Sequence, residues 1–384
     1  MNSDALPIYL DHNATTPLLP EVVDAMLPYL REHFGNPSSG HVFGRRAHDA
    51  VEHARRQVAA LIGATPDEIV FTSGGTEANN LAIRGVAGAL ADKRHIVTSQ
   101  IEHPATAEPC RLLQGLGWGV TWLPVDAAGR VRVEDLVSVA SPGTALVTVM
   151  HANNETGTIQ PIREASEAAH AVGALVHTDA AQSVGKLPVR LDDLGVDLLS
   201  IAGHKLYAPK GVGALYVRNG TPIEPVIRGA GHERGLRPGT ENVAAIVGLG
   251  AACEIAREDL DEEAARLRRL RDLLWDLLHE AVPGLALNGH ERDRLPNTLN
   301  VRFPGVRGSD VLAFAPVVAA STGSACHEGG EHPSGVLTAM GIDADVALGS
   351  VRLSLGRHTM EDAIHSAAAA LAEAWRRVAD RGSR

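Results

Sequence analysis

Between residues 66 and 217 the chain alternates short apolar runs with helix-favouring stretches, and this alternation constrains its fold more than any other feature. Strand-like runs fall at 68–72, 95–99, 120–123, 145–150, 174–179, 196–201 and 212–217, while 77–91 reads as a helix. The run Ala145-Leu146-Val147-Thr148-Val149-Met150 has almost no polar alternation, as expected of a strand buried on both faces. Strands and helices in alternation predict an α/β fold with a mainly parallel sheet covered by helices.

Residues 218–240 are rich in Gly and Pro and break the pattern. A long helix is expected over 243–281, with the charged run 258–271 as its solvated face. Strands at 298–303 and 351–355 and a terminal helix at 360–379 complete a second, smaller α+β unit. The expected division is a large domain over 16–240 and a small domain over 1–15 and 241–384.

A formal charge of -11 argues against general nucleic-acid binding, which needs a basic surface. No apolar run approaches the roughly 20 residues that span a bilayer. Three cysteines, far apart, do not make a disulfide framework. The first residues lack the basic and apolar regions of a signal peptide, so a cytoplasmic location is expected.

Several residues sit where such a fold places ligands. Thr72-Ser73-Gly74-Gly75-Thr76-Glu77 joins a strand to a helix, and its small residues and free N–H groups suit a phosphate; a plain helix cap is the simpler alternative. Asp179 ends a strand, where a carboxylate can keep a pyridine nitrogen protonated or merely cap a turn. Gln182 follows one turn later, within reach of a cofactor's phenolic oxygen. Lys205 follows a buried strand and a Gly-His pair, so it reads as an amine that attacks an aldehyde rather than as a surface lysine. His103, in Glu102-His103-Pro104, can stack on a ring and move protons. The polar cluster Asn153-Asn154-Glu155-Thr156-Gly157 follows another buried strand. Arg352 interrupts an apolar strand and needs an anionic partner, either a substrate carboxylate or a structural one. Cys326 lies among small residues, as an accessible thiol nucleophile does, whereas Cys110 and Cys253 fall in helix-like stretches. His327, Glu328, Glu331 and His332 crowd the same loop, but no ligand pair on a strand or helix supports a metal there. An amine, a carboxylate and a thiol in these places suggest pyridoxal 5'-phosphate (PLP) chemistry on sulfur.

These residues lie in motifs that resemble the cysteine desulfurase family, within the class V aminotransferases. The likeness runs from Tyr9-Leu10-Asp11 to about Gly356, through Asn13-Ala14-Thr15-Thr16-Pro17, Phe34-Gly35-Asn36-Pro37-Ser38, Asp179-Ala180-Ala181-Gln182-Ser183, Gly203-His204-Lys205, Gly231-His232-Glu233-Arg234-Gly235, Arg237-Pro238-Gly239-Thr240 and Gly323-Ser324-Ala325-Cys326. The Gly-Ser-Ala-Cys context resembles the group with a long catalytic loop. The resemblance implies a fold-type-I PLP enzyme with a seven-stranded-type sheet. It implies that Lys205 holds PLP covalently, Asp179 pairs with the pyridinium nitrogen and His103 stacks on the ring. Asn154 and Gln182 contact the ring side, and Gly75, Thr76 and His204 bind the phosphate. Thr240 is expected to reach the neighbouring subunit's phosphate in a homodimer, and Arg352 to hold the substrate carboxylate. Cys326 then takes sulfur from L-cysteine, leaving L-alanine, and passes it to an acceptor protein serving iron–sulfur assembly or nucleic-acid thiolation. Selenocysteine lyases and other class V C–S lyases share much of this pattern. Two departures stand out. Ala202 occupies a position where many relatives carry a phosphate-binding Ser, worth roughly 1.5–3 kcal/mol for one hydrogen bond to a charged group. His327-Glu328-Gly329-Gly330-Glu331-His332 replaces the small hydroxyl residues usual after the cysteine.

Overall fold

The computed structural model describes residues 6–322, 326–327 and 330–382. Seven strands form one sheet: β1 (Ile69–Thr72), β2 (His95–Ser99), β3 (Gly119–Leu123), β4 (Thr144–Thr148), β5 (Leu175–Asp179), β6 (Leu198–Ala202) and β7 (Gly213–Val217). Their order across the sheet is β1-β7-β6-β5-β4-β2-β3. The pairs from β6 through to β3 are parallel, and β7 runs antiparallel to both β6 and β1. The reversal follows from the chain: the link 203–212 is too short for the dozen or so residues a parallel crossover needs.

Every residue of β1, β4, β6 and β7 is buried, the mark of a sheet covered on both faces. Alternate side chains serve alternate cores. Phe71, Val147, Val176 and Leu199 pack with Val51, Val58 and Ile246 on one face; Val70, Ile96, Leu146 and Leu215 pack with Leu81, Ile83 and Val86 on the other. The helices Pro20–Arg31 and Val42–Ile62 were not foreseen. The second buries Ala47, Ala50 and Ala54 along its inner face, and alanine gives only a faint apolar period.

The long helix Val243–Ala281 has the expected bounds but serves two cores. Ala245, Ile246, Leu249 and Cys253 join the large core; Leu267, Leu270, Leu274 and Leu278 join a second one with Leu10, Leu299, Phe303, Leu353 and Leu371. Between them Asp259 leaves helical geometry (φ -124°, ψ 16°), and Arg357 grips its carboxylate with both terminal nitrogens at 2.5 and 2.6 Å. The change of core therefore falls near Asp259, at a kink within the stretch Val243–Ala281. The second core rests on an antiparallel sheet of β8 (Ala286–Asn288), β9 (Thr298–Arg302) and β10 (Ser350–Ser354). The N-terminal strand Ile8–Tyr9 pairs in parallel with Val318–Ala319. Among the described residues, no helix is long and apolar enough to cross a membrane.

Candidate functional site

The carboxyl ends of β1, β2, β4, β5 and β6 lie along one edge of the large sheet, and the residues just beyond them converge on one cavity. Its volume is about 430 Å³, and its lining includes Gly75, Thr76, His103, Asn154, Asp179, Gln182, Ala202, His204, Lys205 and Arg352. Arg352 arrives from the small unit on β10, so the cavity lies where the two cores meet. A space of this size suits a small cofactor with its substrate.

Lys205 closes the short turn Gly203–Lys205 after β6. Its Nζ donates to the main-chain oxygens of Asn13 and Ala14, both at 2.7 Å, and among the described residues it has no carboxylate partner. Burial, followed by the nearby Arg352 guanidinium, lowers its pKa to about 8 against the pull of Asp11 and Asp179. An amine in this state has a substantial neutral fraction at neutral pH and can act as a nucleophile.

Asp179 is held from both sides. Asn79 Nδ2 donates to its Oδ2 at 2.7 Å, and the Ala181 N–H donates to its Oδ1 at 3.0 Å. His103 caps the helix Pro104–Gly115 by accepting from the Ala105 N–H at Nδ1, which leaves its proton on Nε2. Burial lowers the His103 pKa; Asp179 opposes this and Lys205 reinforces it. Beside it Glu102 is pushed up to about 8 by burial, although the Ser99 hydroxyl and the Met150 N–H donate to its Oε1. Glu102 is therefore largely a neutral acid that ties β2 to the segment after β4.

Gly74 and Gly75 open the helix Gly75–Ala89. Gly74 adopts φ +145°, and a Cβ on Gly75 would come within 3.1 Å of the Ala202 Cβ, so the cradle is closed by small residues. His204 Nδ1 meets Thr15 Oγ1 at 3.2 Å, and burial followed by the charge of Lys205 lowers its pKa to about 4. Arg352 is not reserved for a substrate: its Nη2 pairs with Asp11 Oδ1 at 2.7 Å, and its Nη1 donates to the Asn154 main-chain oxygen at 3.1 Å. Its buried Nε has no partner among the described residues.

Two expected site residues are not among those lining the cavity as described. Thr240 is exposed and does not line this cavity. The Cys326 backbone forms a two-residue strand paired with Gly330–Glu331, but its side chain lies outside the described residues, as do Glu328 and Gly329. Three contributors were not foreseen: Asn79, Asp11 and Asn13. Asn79 was detectable as a polar residue one turn into a helix that otherwise buries Ala78, Leu81 and Ala82.

The donor set fits PLP: a buried amine held by main-chain oxygens, a held carboxylate, and a helix N-terminus of small residues at one cavity. Among the described residues the buried Arg352 Nε has no hydrogen-bond partner, and Arg352 lines the cavity. Comparison with known proteins agrees. A family profile described as aminotransferase class-V matches residues 8–366. The cysteine desulfurase IscS of Dictyoglomus turgidum is 50% identical over 358 residues, covering 92% of this chain and 91% of its own. Among solved structures, a NifS-like protein superposes with a TM-score of 0.90 at 39% identity, covering 96% of this chain and 99% of its own. The protein SspA, solved in complex with cysteine, gives 0.81 at 38% identity, covering 92% and 99%.

Proposed function

The chain belongs to the class-V aminotransferases and is a cysteine desulfurase that uses PLP, and on that premise we propose roles for its residues. Lys205 carries the cofactor, Asp179 faces its pyridine nitrogen, His103 covers the ring, and Asn154 and Gln182 contact the ring side. Gly75, Thr76 and His204 hold the phosphate. Bound PLP supplies an electron sink that makes the bonds around the substrate Cα and Cβ labile. Arg352 orients the substrate carboxylate, with Asp11 and the Asn154 oxygen fixing the guanidinium plane. Lys205, with its lowered pKa, would take the Cα proton and return a proton to the product carbon. The Cys326 thiolate attacks the substrate sulfur: the S–S bond forms, the C–S bond breaks, and that electron pair stays with carbon until it is protonated. L-cysteine and a thiol thus become L-alanine and a Cys326 persulfide.

The observation that carries this reading is the convergence of Lys205, Asp179, His103 and Arg352 on one cavity, with an amine that among the described residues has no carboxylate partner. The exposure of Thr240, away from its own subunit's cavity, supports a homodimer in which it reaches the neighbour's phosphate. We assign the sulfur to an acceptor protein of a cytoplasmic pathway, either iron–sulfur assembly or nucleic-acid thiolation. The test is to add L-cysteine to the purified protein and measure alanine and sulfide. Equal release of alanine and reducible sulfur is expected. Alanine formed from selenocysteine but not from cysteine contradicts the reading.

A further inference from the structure

Lys186 is a second buried lysine beside the cofactor cavity, and none of the roles above uses it. It ends the turn that follows β5, where Gly185 adopts φ +76° and a Cβ would come within 3.2 Å of the Leu206 Cβ. The turn directs the lysine inward, and its side chain is buried. Among the described residues it has no ion-pair partner. Its Nζ instead donates to Gln182 Oε1 at 2.9 Å and, more weakly, to Asn13 Oδ1 at 3.4 Å. Burial, then the charges of Lys205 and Arg352, lowers its pKa to about 7. Burying an amine against amide oxygens alone is costly.

These contacts decide how Gln182 is turned. In its charged form Lys186 only donates, and the Asn13 main-chain oxygen only accepts, so the atom facing Lys186 is the carbonyl Oε1. At the other end, Nε2 donates to the main-chain oxygen of Asn13 at 3.0 Å, and that oxygen also receives Lys205 Nζ at 2.7 Å. One line of hydrogen bonds therefore runs from Lys186 through Gln182 and Asn13 to Lys205. The two ends of an amide are nearly equal in shape, so the network alone sets its orientation.

We propose that Lys186 is a positioning residue that acts through Gln182, turning the amide so that its donor end faces the cofactor cavity. The ligand atom that meets Gln182 is then an acceptor, as the phenolic oxygen of PLP is. The inference rests on the cofactor and not on Cys326, so Cys326→Ala leaves its readouts unchanged.

The test follows the visible band of the holoenzyme while a trap removes released PLP. Lys186→Met should speed PLP loss roughly tenfold, the factor for one hydrogen bond to a charged group. Lys186→Gln, which restores an N–H donor, should recover most of the difference. In a Gln182→Ala background Lys186→Met should add nothing further, whereas a purely structural lysine would act equally in both backgrounds. Gln182→Glu keeps Lys186 but presents only oxygen, and it should lose PLP at least as fast as Lys186→Met. Wild-type retention in Lys186→Met or Gln182→Glu, or additive effects in the double variant, would overturn the proposal.

Discussion

Asn79 gives the sharpest test of how the fold prepares the site. Its side chain is fully buried, and its Nδ2 donates to Asp179 Oδ2 at 2.7 Å and to Thr106 Oγ1 at 3.1 Å. The first bond is charge-assisted and short, worth roughly 1.5–3 kcal/mol. Asn79→Ala removes that support from the carboxylate to which we assign the pyridine nitrogen, and among the described residues the Ala181 N–H is the donor that remains. At 1.36 kcal/mol per factor of ten, PLP retention and turnover should fall by roughly ten- to a hundredfold. Asn79→Asp is nearly the same size but sets a second carboxylate against Asp179, so it should be worse than alanine. The assay is the rate at which the visible band decays under a PLP trap, alongside alanine release at saturating cysteine. Retention of PLP by Asn79→Asp at the wild-type rate would refute the reasoning, because it would mean that Asp179 does not depend on this donor.

Other consequences follow from the same geometry. Ala202→Ser places a hydroxyl on the cavity wall beside Gly75, and slower PLP release, by about tenfold, is the expected result of one added hydrogen bond to the phosphate; an unchanged rate would mean that the cradle is already satisfied. The lowered pKa of Lys205 governs reloading of the apoenzyme. Its neutral fraction is about a tenth at pH 7 and about half at pH 8, so the PLP reloading rate should climb through pH 8 and then flatten. A rate still climbing tenfold per unit above pH 9 would show an ordinary lysine.

Much of this was legible in the sequence because burial and strand ends leave local marks. Continuous apolar runs gave the strands; Asp179 ends one, and Lys205 and Asn154 follow others. The junction between β1 and the helix Gly75–Ala89 was legible from its paired glycines. The antiparallel direction of β7 was not read, since a strand's own residues do not encode its direction; the short link 203–212 does. The helix Val42–Ile62 was hidden by its alanines. Asp11 and Asn13 reach the site from the far end of the chain, across sequence separations of 341 to Arg352 and 192 to Lys205, and no local pattern reports such contacts. Lys186 was missed because a lysine is ordinarily exposed, and only its burial reveals it.

Cys326→Ala tests the central claim most directly. The purified variant, given L-cysteine and probed with a persulfide-specific alkylating label, should keep the visible cofactor band and form no protein-bound persulfide, while the wild-type protein forms one per subunit at Cys326. A persulfide of equal yield on the variant would show that sulfur leaves the substrate by another route, and the assignment of Cys326 would fail.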